Sequence, residues 1–399
     1  MFNKQNHKVF ILISIFFFTN IYNLYSQLPF VENIKNELLD DGYDLEIKYK
    51  AEFWSLFNLN ERLINGYLDN FNLISNLNLD KLFGIKSTNL SIYFLGNNGF
   101  KPNEYLKSRH GISNISAPNA WKIYTCYLEK SFINDNINLL FGLYDYNSEF
   151  DSKQSASLFL NPAHGIGTDI AQTGENGPSI FPTASLGLRL KANITNEMFL
   201  LATILDGVPG NVSNPKGTHI ILKNDDGYFI SIEAGFSNFD TDSVNNYKFS
   251  GGFWYYTDDM QSFVTNIINW GFYGLFEKII YKSQYSPFKI SGYGRIGFAD
   301  VTVNPVNFFI SGVIVIDSPL PSRVNDKFGI ALASGYQIIE QKDNKINPCF
   351  ETNIEITYRI SINNYLSLQS NFQYINCPID HNIKEKFIAL GTRLILNLF

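Results

Sequence analysis

The chain has 399 residues, a formal net charge of -6, 16% aromatic residues and only 17% charged ones. An acidic, charge-poor chain lacks the surplus of Lys and Arg that a sequence-independent nucleic-acid binder needs to meet phosphates. No apolar run beyond residue 30 approaches the ~18 residues of a helical span, which excludes a helical membrane protein for the mature chain.

Residues 1–26 carry the three-part pattern of a secretory signal peptide. Lys4 and Lys8 make a basic start, Val9 to Phe18 is apolar except for Ser14, and Leu24-Tyr25-Ser26 is a cleavage region before Gln27. A membrane anchor would need a longer apolar core. Export places the mature chain in an oxidising compartment. Residues 27–42 are then a short N-terminal segment, and 43–399 are expected to be one domain.

That domain reads as a series of short segments of period two. In the first, Leu45, Ile47, Tyr49, Ala51 and Phe53 alternate with Glu46, Lys48, Lys50 and Glu52. A strand is expected at 137–145, and another at 183–192, where Ala184, Leu186, Leu188 and Leu190 alternate with Ser185, Gly187, Arg189 and Lys191. Tyr228 to Phe236 repeats the pattern with Ser231 and Glu233 on the polar face. Ile354, Ile356, Tyr358 and Ile360 alternate with Asn353, Glu355, Thr357 and Arg359, and Leu366, Leu368, Phe372 and Tyr374 with Ser367, Gln369, Asn371 and Gln373.

A soluble antiparallel sheet also alternates. Here the polar faces carry whole charges and amides, as a watery lumen requires, and the apolar faces are rich in Tyr and Phe, as a lipid belt with aromatic girdles requires. Connections alternate too. Long Gly-, Pro- and Asn-rich stretches follow the strands at 137–145 and before Asp206, whereas Asn193 to Asn196 and Asn363–Asn364 are tight turns. The expected fold is therefore an all-β transmembrane antiparallel barrel. At ~10 residues per strand plus similar connections, the chain accommodates roughly 16 to 18 strands, enough to enclose an aqueous channel that conducts solutes.

Further residues resemble a known family. Leu38-Leu39-Asp40-Asp41-Gly42 leads into the first strand, and Leu79-Asp80-Lys81-Leu82-Phe83-Gly84 precedes Leu90 to Leu95. Gly111-Ile112-Ser113-Asn114-Ile115 is followed by Trp121 to Phe132, then by Phe141-Gly142-Leu143-Tyr144-Asp145-Tyr146-Asn147-Ser148-Glu149-Phe150, Leu158-Phe159-Leu160-Asn161 and Phe181-Pro182. Glu351 to Tyr358, Leu368 to Ile375 and Gly391-Thr392-Arg393 complete the set. In order and spacing these blocks resemble the carbohydrate-selective porins of the OprB type, over nearly the whole mature chain. The resemblance implies a 16-stranded outer-membrane barrel that passes mono- and oligosaccharides by diffusion, narrowed by a long inward-folded loop after Asn147–Phe150. It also implies outer-membrane lipid and the barrel-assembly machinery as partners, the latter through the C-terminal strand ending at Phe399.

Two features depart from that pattern. Cys349 and Cys377 are not part of it. Phe399 shares the parity of Arg393 and Asn397 rather than that of Leu394, Leu396 and Leu398, so either a bulge returns it to the lipid side or it turns inward.

Sugars present hydroxyls around an apolar ring face, so a selective pore combines aromatic platforms with Arg, Glu, Asp and Asn. Residues expected to line the lumen are Arg189, Lys191, Glu233, Lys248, Arg295, Glu351, Glu355 and Gln369, with Arg109, Phe159 and Asn161 as constriction candidates in the loops. Charges of both signs occur, which separates neutral sugars poorly from other small solutes. A non-conducting exported β protein that binds sugars or surfaces is the alternative from another class.

No enzyme, cofactor or metal site is expected. The five histidines, His7, His110, His164, His219 and His381, form no His-Glu-x-x-His and no elbow motif appears. A Ser157/His164/Asp169 set is what any polar loop offers. Glu351 and Glu355 lie ~13 Å apart along a strand, too far for paired acid–base work. Gly165-Ile166-Gly167 lacks the strand–helix setting of a phosphate loop, and no His lies at metal-ligand spacing from Cys126, Cys349 or Cys377. Matching the lipid faces of the last hairpin sets Ile360 opposite Leu366 and Ile354 opposite Phe372. That register would bring Cys349 across from Cys377 at the outer rim, within reach of a disulfide, whereas a two-residue slip would keep the faces and separate the sulfurs.

Overall fold

The computed structural model describes residues 28–58, 63–238, 246–258, 268–340, 346–376 and 386–399. The signal-peptide reading of 1–26 and Cys377 lie outside them. The short N-terminal segment is helical, α1 (Leu28–Asp41), and leads into β1 (Tyr43–Asn58) and β2 (Leu63–Asn78). A one-turn helix, α2 (Leu79–Phe83), is capped by the Asn78 side chain and closed by Gly84 at φ 71°, the left-handed conformation that glycine adopts without strain. Lys81 Nζ donates from it to the carbonyls of Leu39 and Asp40, at 2.9 and 3.1 Å, tying the end of α1 to this rim.

The remaining strands are β3 (Thr88–Gly99), β4 (Ala120–Phe132), β5 (Ile137–Tyr144), β6 (Ser185–Asn193), β7 (Met198–Asp206), β8 (Tyr228–Ser237) and β9 (Tyr247–Tyr256). They continue with β10 (Trp270–Lys282), β11 (Lys289–Ala299), β12 (Val306–Asp317), β13 (Lys327–Glu340), β14 (Ile346–Ser361), β15 (Leu366–Asn376) and β16 (Lys386–Asn397). Each pairs with its sequence neighbours, and β1 pairs with β16, so the sheet closes into a 16-stranded antiparallel barrel with no free edge. No helix among the described residues is long and apolar enough to cross a membrane; crossing falls to the strands.

Period-two alternation decides which side each residue faces. On β14, Glu351, Asn353, Glu355 and Thr357 are buried inside while Phe350, Ile354 and Ile356 stand exposed outside. The outward belt continues around the barrel through Phe53, Trp121, Phe141, Phe272 and Leu332. Such a belt of exposed apolar side chains is stable only against lipid.

The last hairpin has the expected faces in a different register. Ile360 pairs with Leu368 and Ile354 with Tyr374, two residues from the expected pairing. The cause is the turn. Asn363 Oδ1 accepts from the backbone N–H of both Tyr365 and Leu366, at 2.8 Å each, which centres the reversal one residue later. A two-residue slip returns every side chain to its original face, so alternation alone could not reveal it. In this register position 377 is no longer directly across from Cys349. Cys349 is disulfide-bonded, Cys126 is a free thiol, and Cys377 is outside the described residues.

No bulge interrupts the pairing of β16 with β15 or β1. Phe399 lies beyond the strand end, its ring 5.8 Å from Lys35 Nζ of α1.

Candidate functional site

Two of the connections on one rim fold into the barrel. The segment 100–119 holds a short helix, α3 (Pro102–Leu106), and the segment 145–184 holds three 3-10 turns and α4 (Thr168–Ala171). Their apolar side chains pack on the inner wall. Tyr146, Phe150, Ile166 and Ile170 meet Phe229, Trp254, Tyr256 and Tyr273. Ile112, Ile115 and Leu160 meet Trp54, Leu68 and Ile375, and Phe159 meets Tyr293, Val313 and Val315. Much of the interior is thus a packed core, where alternation had suggested open water throughout.

An irregular backbone inside a barrel has N–H groups that no strand satisfies, and burying them unpaired is costly. Carboxylates of the wall accept them. Glu233 Oε2 accepts from Asp151 N at 2.8 Å. Glu277 accepts from Gln154 N at 3.0 Å and Ser155 N at 2.5 Å. Glu355 accepts from Leu160 N at 2.7 Å and Asn161 N at 3.0 Å. Glu351 takes the N–H groups of Arg109 and His110, at 3.1 and 3.2 Å, and the Ser108 hydroxyl. Glu52 takes the Ser113 hydroxyl at 2.7 Å and the Trp54 indole N–H at 2.5 Å, and pairs with Arg393. Hydrogen bonds to a charged acceptor contribute ~1.5–3 kcal/mol each.

A buried ion cluster fastens the middle of the long loop. Arg295 Nε lies 3.0 Å from Asp151 Oδ2, its Nη1 2.5 Å and Nη2 3.1 Å from the Asp169 carboxylate, and Lys153 Nζ is 2.8 Å from Asp151 Oδ1. None of these side chains reaches solvent. Burial alone would push Asp151 up, but Arg295, Lys153 and the Gly167 N–H hold it below the usual carboxylate range. Burial, with Lys153 and His110 adding to it, pushes His164 down to about 3. A neutral His164 accounts for the 3.9 Å gap to Glu355, too long for a hydrogen bond, while its Nδ1 lies 3.0 Å from the Tyr293 hydroxyl.

The residues expected at the pore divide into two groups. Arg189, Glu233, Arg295, Glu351 and Glu355 point inward, as their parity requires, yet are buried under the loops or in ion pairs instead of facing water. Arg189 is held by Glu129 and Glu149. Asn161 is also buried, its Oδ1 accepting from Ala163 N and its Nδ2 donating to the Gly111 carbonyl. The physical reason is that the loops cover this wall.

Arg109 and Phe159 line a cavity of about 610 Å³ beside the inward loops. Gln369 lines one of about 540 Å³ that reaches the short-turn residues Asn325, Asn363 and Asn364. Lys191 and Lys248 line a third, of about 490 Å³. The first two share Lys50, Asn114 and Ser157, so together they run from the loop side, past Lys50 of β1, Tyr93 of β3 and Tyr124 of β4, to the wall of β14, β15, β16 and β1 on the short-turn side. Sequence reasoning missed Glu277, Asp151, Lys153 and Asp169 as structural anchors. Lys50, Glu52 and Arg359 stood on polar strand faces, which was the available signal for them.

A closed 16-stranded barrel with an apolar outer belt, inward loops and cavities running toward both rims defines a porin, a channel rather than an enzyme fold. The sequence profile of the carbohydrate-selective porins, OprB family, matches residues 65–395. The chain belongs to that family. It is a carbohydrate-selective porin of the outer membrane, allowing passive diffusion of sugars. It is similar to Porin B of Pseudomonas aeruginosa, 19% identical over 413 aligned positions covering 90% of this chain and 88% of the relative. Its fold is similar to the high-pH structure of Pseudomonas putida OprB, with a TM-score of 0.77 at 17% identity over 91% of this chain and 96% of the other. The low-pH structure of that protein gives 0.59 at 15% identity, covering 92% and 96%.

Proposed function

We propose that sugars cross this porin between the inward loops and the wall of β1, β3 and β4 on the loop side and of β14, β15, β16 and β1 on the short-turn side, and that no chemical step accompanies their passage. The observation that carries this reading is the pair of cavities sharing Lys50, Asn114 and Ser157. Arg109 offers hydrogen bonds to hydroxyls along that route, Gln369 keeps only its amide oxygen for them because its Nε2 donates to the Leu158 carbonyl and the Thr357 hydroxyl, and Phe159 borders the route. Arg189, Glu233, Arg295, Glu351, Glu355 and Asn161 act indirectly, by holding the loops that set the width. Lys191 and Lys248 face a side vestibule.

The finer assignments follow from this reading. Residues 1–26 are removed on export, 27–42 form the short N-terminal segment, and 43–399 form the porin domain. The rim carrying the long loops faces outward. The barrel-assembly machinery engages the last strand, which ends near Phe399. Reconstitution of the mature chain in planar bilayers tests the reading: discrete channels whose current falls as mono- or oligosaccharides are titrated are expected. A correctly folded barrel that never conducts would refute it.

A further inference from the structure

The protein is acidic overall, yet its passage is not. Among the described residues lining the cavity on the short-turn side, the charged groups are Lys48, Lys50, Arg359 and Arg393, with no carboxylate. Two of the four are neutralised. Lys48 pairs with Glu46 at 2.5 Å, and Arg393 Nε donates to Glu52 at 2.6 Å. Lys50 and Arg359 have no ion-pair partner among the described residues.

The wall around Arg359 reinforces the excess. Cross-strand pairing sets Lys289, Asp317, Lys327, Arg359, Gln369 and Arg393 in one inward row. Asp317 is already bridged by Lys289 and Lys327, at 2.8 Å each. It has little left to offer Arg359. On the loop side, the Arg109 guanidinium donates to Gln337 Oε1 at 3.0 Å and forms no ion pair among the described residues. Lys153 is taken up by Asp151. Among the described residues, Asp145 is the one carboxylate lining that cavity. Lys50, shared by both cavities, stands where they join.

Uncompensated cations in a narrow channel with low-dielectric walls focus a positive field along the path. A neutral hexose meets such groups as hydrogen-bond donors only. A sugar acid meets them as counter-charges, and charge-assisted hydrogen bonds are roughly twice as strong as neutral ones. Resting on the porin reading above, we infer that this channel prefers acidic saccharides, those bearing a carboxylate or sulfate, and that Lys50 and Arg359, with Arg109 on the loop side, determine that preference.

The test uses the full mature porin in planar bilayers. Reversal potentials under a KCl gradient report the intrinsic ion preference, and glucose and glucuronate serve as blockers. Chloride selectivity is expected, with glucuronate blocking at about tenfold lower concentration than glucose. Lys50→Gln with Arg359→Gln should abolish both, and Lys50→Arg with Arg359→Lys should retain them. Equal block by the two sugars together with cation selectivity in the wild type overturns the inference and leaves a neutral-sugar porin standing. Unchanged selectivity in the double Gln variant overturns the assignment to these residues. Absence of any channel activity would instead sink the porin reading on which the inference rests.

Discussion

Arg295→Met isolates what holds the long loop inside the barrel. The guanidinium bonds two buried carboxylates at once, Asp151 through Nε and Asp169 through both terminal nitrogens. In the wild type the two negative charges meet two positive ones, Arg295 and Lys153. Methionine fills similar space but leaves Asp169 without a cation. Breaking a buried pair from one side costs ~3–5 kcal/mol, because the remaining charge stays desolvated. At ~1.4 kcal/mol per factor of ten, states with the loop detached become about 10² to 10³ times more populated. The urea midpoint of the refolded barrel should fall, and single-channel records should show frequent steps to higher conductance. Arg295→Met with Asp169→Asn removes the orphaned charge, leaves Asp151 with Lys153, and should recover much of the loss. An unaltered urea midpoint and quiet wild-type current in Arg295→Met would show that the cluster does not hold the loop.

Other consequences are open to direct measurement. Glu355→Gln exchanges a carboxylate for an amide opposite the N–H groups of Leu160 and Asn161, and a loss of ~1.5–3 kcal/mol in urea unfolding is expected; an unchanged midpoint argues against the clamp. In a Cys126→Ser background, cysteine at 191 should react with a water-soluble thiol reagent while cysteine at the outward Leu188 should not, and the reverse pattern would mean the faces are misassigned. Peptide mapping without reductant should find Cys126 alkylated and Cys349 protected, with alkylated Cys349 contradicting its disulfide. Burial pushes the Asp145 carboxyl up to about 6 against the Asn147 and Ser148 N–H groups, with the Tyr93 and Tyr124 phenols nearby. It is therefore charged above that pH and neutral below, so chloride selectivity should rise as pH falls through about 6, and rise less in Asp145→Asn.

The fold was legible where one strand face meets lipid and the other meets polar groups. β14 and β15 alternate cleanly because Glu351, Glu355 and Gln373 answer the polar loop backbone, and Asn353 donates to Gln373. Alternation fades on β10 and β12, where Tyr273, Leu275, Phe309, Val313 and Val315 face inward. Those positions lie under the apolar side of the loops, so both strand faces are apolar and the period-two signal is lost. Lumen-facing charges could be picked out by parity, but their partners could not. Glu233 answers an N–H far away in sequence, at Asp151, and Glu277 answers Gln154 and Ser155. Backbone donors leave no mark in composition or periodicity, so a carboxylate that holds a loop reads the same as one that faces water.

That distinction bears on selectivity. Inward carboxylates and inward cations come from the same polar strand faces, but the loops do not use them equally. Exposed backbone N–H groups are donors and can be satisfied only by acceptors, so folding loops inward consumes carboxylates: Glu233, Glu277, Glu351 and Glu355 are all committed to backbone donors. Lysine and arginine cannot accept from an N–H and serve a loop only through its carbonyls, as Lys248 does in donating to the Ser152 carbonyl at 2.9 Å. The cations left over stay on the open side, at Lys50 and Arg359. A wall of mixed charge thereby becomes an electropositive passage inside a chain of net charge -6. The same loops that narrow the channel also sort its charges, so loosening them should reduce selectivity as well as widen the pore. Arg295→Met is expected to weaken discrimination between glucuronate and glucose in its high-conductance state, even though Arg295 itself is buried away from the passage.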